Sequence, residues 1–78
     1  MIIGKGTIGT YLVIVHRIAS ESNNPFVTMY RGQTEFVHQK NWTDDEKAIA
    51  EQAINFTLDH LDLIPEIGLQ SVQFKLTH

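Results

Sequence analysis

The sequence predicts an α+β fold for residues 1–78 as a single domain: a mostly antiparallel, four-stranded sheet in strand–strand–strand–helix–strand order, with one amphipathic helix on one face. Three observations predict it. A strand-forming run fills the N-terminal third, a helix-start signal stands at Thr43-Asp44-Asp45-Glu46, and Val72, Phe74 and Leu76 alternate with polar residues near the end.

From Thr7 to Ile18 nearly every residue is β-branched, aromatic or aliphatic. Tyr11, Val13 and Val15 fall on one face and Leu12, Ile14 and Ile18 on the other, so both faces are apolar and the segment reads as one central strand. Ala19 to Pro25 carries Ser20, Ser22, Asn23, Asn24 and Pro25, which favour a loop. Phe26–Tyr30 and Thr34–His38 read as an antiparallel hairpin around Arg31-Gly32-Gln33, where glycine supplies positive φ.

The helix is expected over Asp44–Asp62. Thr43 is placed to accept the Glu46 backbone N–H while the Glu46 carboxylate reaches back to the Thr43 N–H. Asp44, Asp45 and Glu46 also lie where the helix dipole is positive. At 100° per residue, Ile49, Ala50, Ala53, Ile54, Phe56, Thr57, His60 and Leu61 share one arc, with Glu51, Gln52, Asn55, Asp59 and Asp62 opposite. Pro65 and Gly68 end the helical stretch, and the last strand follows.

Size sharpens the functional question. A chain of 78 residues buries only about 60% of its unfolded surface, and with no cysteine it has neither disulfides nor Cys-ligated zinc to help. One helix covers one sheet face, whereas the central strand is apolar on both, and Phe26, Tyr30 and Phe36 add aromatic area. A second covering surface is therefore expected, with a homodimer favoured and a different protein partner as the alternative. Ile8–Val15 is too short to span a membrane and lacks a cleavage site after it, and the sequons at Asn41 and Asn55 are read as chance, which together imply a cytoplasmic protein.

Gly4-Lys5-Gly6-Thr7-Ile8-Gly9 matches G-x-G-x-x-G and resembles the first turn of a dinucleotide-binding domain. That motif needs a strand before it and a helix after it, and here the following residues favour strand, so no dinucleotide or other cofactor is assigned. His16, His38, His60 and His78 have no i, i+3 or i, i+4 pairing, and no metal site is expected. No serine has the setting of a nucleophile.

Charge is distributed unevenly. Residues 1–43 carry four basic and two acidic side chains, a balance of +2, and residues 44–78 carry two and seven, a balance of −5. Asp44, Asp45, Glu51, Asp59 and Asp62 form an acidic helix surface, for which a solvated face is the ordinary explanation. The reading that follows is a small, non-enzymatic interaction protein of adaptor or inhibitor type, similar in kind to the accessory proteins of phages and mobile elements. Its interface residues are expected among Tyr11, Tyr30, Arg31, Phe36 and Trp42, types that often carry binding energy. Two alternatives stand beside it. One is a single-stranded nucleic-acid binder using those aromatics with Arg17, Arg31 and Lys40; the other is a ligand-binding protein or minimal enzyme with His16 and His38 in a pocket at a subunit interface.

Overall fold

In a computed structural model describing residues 1–17, 25–61 and 71–77, the N-terminal apolar run is two strands rather than one. Among the described residues the chain forms β1 (Ile2–Ile8), β2 (Tyr11–His16), β3 (Phe26–Arg31), β4 (Glu35–Val37), α1 (Asp44–His60) and β5 (Val72–Leu76), with a single 3₁₀ turn at Gln39–Asn41. The break falls at Gly9-Thr10. Gly9 has φ 59° and Thr10 does not have positive φ, the pattern of a type II′ turn, whose twist suits a two-residue hairpin. Residues 18–24 and 62–70, which include the expected first loop, Asp62, Pro65 and Gly68, lie outside the described residues.

The sheet has five strands in the order β4-β3-β2-β1-β5, not four. β1 to β4 form an antiparallel meander, but β5 pairs in parallel with β1, placing Gly4 beside Val72 and Ile8 beside Leu76. The sheet is therefore mixed. Parallel neighbours require a long crossover, and α1 lies on that route, returning the chain from the β4 edge to the opposite edge.

Two features of β1 hid it in the sequence. Its glycines are poor strand formers, yet both sit where a side chain has no room. A Cβ on Gly4 would overlap the Thr57 side chain of α1, and one on Gly6 would overlap the backbone carbonyl of Phe74 and approach its ring Cδ1 at 2.6 Å. The second feature is a bulge between Ile2 and Gly4, which lets both Ile3 and Gly4 be buried while Ile2 stays exposed.

The helix starts as its sequence requires. Thr43 Oγ1 accepts from the Glu46 N–H at 3.2 Å, and the Thr43 N–H donates to Glu46 Oε1 at 2.9 Å. The apolar arc turns to the sheet, with Ile49, Ala50, Ala53 and Thr57 buried and Ile54, Phe56 and Leu61 partly so. They pack with Ile3, Ile8, Val13, Val15, Val27, Met29, Val72 and Phe74 into one core. Each fully buried Ile, Val or Met stabilises by roughly 1.5–3 kcal/mol as an upper estimate. His60 stacks on Phe56 at 4.0 Å and its Nδ1–H donates to the Phe56 carbonyl at 2.8 Å, so this imidazole belongs to the helix end.

Candidate interaction face

Strand register divides every side chain of the sheet between two surfaces. On the covered side, Val13, Val15, Val27, Met29, Val72 and Phe74 pack with α1, and Val37 is buried on the same side. On the other side three rows cross the sheet. In strand order from β4, the first runs Phe36, Tyr30, Leu12, Thr7, Lys75. The second runs Thr28, Ile14, Lys5, Gln73, and the third runs Phe26, His16, Ile2.

This open face is apolar and aromatic toward β4 and cationic toward β5. Phe36 is 55% exposed, Ile2 47% and Phe26 44%, all large side chains that a folded domain ordinarily shelters. The rings are organised: Tyr30 and Phe36 meet edge to face with centroids 5.7 Å apart, and Phe36 meets His38 the same way at 6.2 Å. His16 stacks flat on Phe26 at 4.7 Å while its Nε2 lies 3.1 Å from Thr28 Oγ1. Partial burial, with a smaller effect from the nearby N-terminal charge, holds the His16 imidazole below its ordinary pKa and favours the neutral ring. Lys5 and Lys75 are the Lys, Arg, Asp or Glu side chains of this face among the described residues; no carboxylate accompanies them.

The five interface candidates divide between the two sides. Tyr30 and Phe36 lie side by side on the open face. Tyr11, Arg31 and Trp42 lie on the covered side, tied to the helix start. Tyr11 O–H donates to Glu46 Oε2 at 2.9 Å, and Arg31 donates to the same oxygen through Nη2 at 2.8 Å and Nε at 3.3 Å. Trp42 Nε1–H donates to the Val37 carbonyl at 3.1 Å. Glu46, 1% exposed, thus uses one carboxylate oxygen to cap the helix and the other to fasten it to β2 and β3. The Thr43 backbone N–H, then Arg31 and Tyr11, outweigh the cost of burial and lower its pKa to about 2. The same bond raises the Tyr11 phenol, since ionising it would place a second negative charge beside Glu46.

Asp44, Asp45, Glu51 and Asp59 line the exposed side of α1, with Asp44 Oδ1 3.9 Å from Lys47 Nζ. Asp62 lies outside the described residues. Of the cations considered for nucleic acid, Arg31 is committed to Glu46 and Glu35, Arg17 has its Nε enclosed at the end of β2, and Lys40 sits in the 3₁₀ turn beyond β4. His16 and His38 both border the open face, with β3 between them and separate partners, Thr28 for one and the Lys40 backbone N–H for the other. Gly4 to Gly9 form strand and hairpin turn, not a strand-to-helix turn that cradles phosphate.

Among the described residues no group of three or more His, Cys, Asp or Glu converges as a metal site, and no helix is long and apolar enough to cross a membrane. The described residues define an α+β structure, one α-helix packed on one face of a five-stranded mixed sheet. No protein-family model, curated protein or solved structure matches the chain.

The sequence groups Phe26 with Tyr30 and Phe36 as aromatic area beyond the helix, but it does not place Leu12, Ile14, Ile2, Lys5 and Lys75 on the same face. The alternation within each strand was visible, but which alternating sets share a surface depends on register between strands. Glu46 was readable as a cap and not as a buried anchor, because its other partners come from β2 and β3.

Proposed function

We propose that this protein is a small, non-enzymatic interaction module whose working surface is the open sheet face centred on Leu12, Ile14, Tyr30 and Phe36. The observation that carries this reading is the exposure of Phe36, Phe26 and Ile2 on one continuous face that α1 does not cover. Exposed aromatics rimmed by polar groups are the composition of binding surfaces. Self-association is the expected form, in line with the marginal size of the chain.

Sedimentation equilibrium across a wide concentration range tests it, comparing the native chain with a Tyr30→Ser, Phe36→Ser double variant. The native protein is expected to associate reversibly and the variant to stay monomeric with unchanged near-ultraviolet and far-ultraviolet dichroism from its remaining chromophores. Association that survives the double substitution would remove the sheet face from the account.

Single-stranded nucleic acid is a second reading, favoured by one observation: Lys5 and Lys75 share the open face with exposed rings and no carboxylate among the described residues. Two cations are few for a polyanion, and the whole chain has net charge −3.

A further inference from the structure

The first row of the open face changes character along its length, from Phe36 and Tyr30 through Leu12 and Thr7 to Lys75. Such a row is complementary to its own reverse. A two-fold axis lying in the interface and parallel to β2 reverses it: Lys75 of one copy comes over Phe36 of the other, Thr7 over Tyr30, and Leu12 meets Leu12. In the second row, Ile14 meets Ile14 and Lys5 approaches Thr28. An axis running across the strands would instead lay β5 on β5 and β1 on β1, gathering the lysines of both copies along one edge with no acid among the described residues of the face to relieve them.

We propose that the occupant of the open face is a second copy of this chain, seated face to face about a two-fold axis parallel to β2, so that the Lys75 ammonium of each copy lies on the Phe36 ring of the other. This rests on the interaction-module reading and goes further by fixing partner and orientation. Area sets the strength of such a pair. Five strands about 4.8 Å apart and about five residues long give a face of roughly 400 Å² in projection, within the size of patch that a monomer ordinarily leaves bare. Burying it on both copies covers roughly 800 Å², below a standard specific interface, so the association expected is weak and concentration-dependent. The symmetric pairing supplies each lysine with a ring quadrupole and each ring with a cation, and a heterologous contact between the face and another surface would not close on itself.

The absence of cysteine makes the orientation directly measurable. His38, just beyond β4, and Gln73, in β5, are exposed at opposite edges of the sheet. His38→Cys and Gln73→Cys chains are prepared separately, then mixed and treated with a short bismaleimide. The expected result is a crosslinked dimer in the mixture and almost none in either variant alone. Crosslinking of each variant with itself would overturn the orientation while leaving the interaction reading intact. A native chain that sediments as a monomer at every concentration would overturn the second copy as occupant. Lys75→Gln is expected to weaken the dimer about 5- to 30-fold through its two symmetric contacts, and an unchanged dissociation constant would count against the lysine–ring pairing. Fluorescently labelled oligothymidine supplies the competing outcome: salt-sensitive binding lost in Lys5→Gln and Lys75→Gln, with the free chain monomeric, would assign the face to nucleic acid instead.

Discussion

The two faces of the sheet use the same kinds of residue for opposite ends. Tyr11 in β2 and Tyr30 in the neighbouring β3 are both strand tyrosines, yet Tyr11 sends its hydroxyl to Glu46 beneath the helix while Tyr30 meets Phe36 on the open side. On the covered face Tyr11, Arg31 and the Thr43 backbone converge on one carboxylate, while the buried Thr57 hydroxyl packs against Gly4 without a hydrogen-bond partner. The open face leaves large rings in water and two lysines without an acid among the described residues. Composition alone does not distinguish them. Register does, and the difference separates residues that hold the fold from residues free to meet another molecule.

That separation is most severely tested at Gly6. Gly6→Ala places a methyl group against the Phe74 backbone carbonyl, which is not the end of a flexible side chain and cannot swing aside. The expected loss is about 3 kcal/mol or more, read as a fall in the urea midpoint, and a midpoint within experimental error of the native value would refute the close approach of β1 and β5.

A smaller but sharper break is Glu46→Ala, which removes the carboxylate half of the capping box and takes from Tyr11 and Arg31 the acceptor they share, leaving Arg31 with Glu35. A loss of about 3 kcal/mol is expected from the buried, hydrogen-bonded charge. The pH dependence follows the same group. Its folded pKa is depressed from 4.5 to about 2, so its contribution is complete above about 4.5 and is lost as pH falls through about 2. Urea midpoints recorded from pH 6 to pH 2 should decline in the native chain and flatten in the variant; parallel declines would show that other carboxylates govern the acid limb.

The smallest effect belongs to the open face. His16 is held below its ordinary 6.5 by partial burial, so the stability it contributes as a neutral ring is present above 6.5 and lost as pH falls below that value. His16→Gln should remove a shallow slope in stability between pH 7 and pH 5 while leaving the Glu46 limb at lower pH unchanged. If the slope persists, another histidine carries it.

What could be read from the sequence was local. The capping box at Thr43 and Glu46, the hairpin glycine Gly32 with φ 70° and the alternating strand Val72–Leu76 each depend on residues a few positions apart. The Gly9-Thr10 turn escaped because strand-forming residues surround it on both sides. β1 escaped because its glycines answer to Thr57 and Phe74, contacts made only after the chain has crossed the sheet. Tyr30 and Phe36 were chosen by residue type and do share the open face, while Arg31 and Trp42 were chosen on the same ground and turn to the helix and the β4 carbonyl. No local pattern reports which of two tyrosines has a buried acid waiting.

The parallel pairing of β1 with β5 has a mechanical consequence. The N-terminal end of β1 and the C-terminal end of β5 lie at opposite ends of one strand pair, and Gly9 N–H extends the ladder by donating to the Leu76 carbonyl at 2.8 Å. A force pulling the leading and trailing segments apart would load the slanted, evenly spaced bonds of that pair together, in shear, instead of peeling them one by one. The molecule should resist stretching along this line far better than a hairpin pulled open from its ends, with its rupture force set by the rate of β1–β5 sliding and not by the equilibrium stability of the domain.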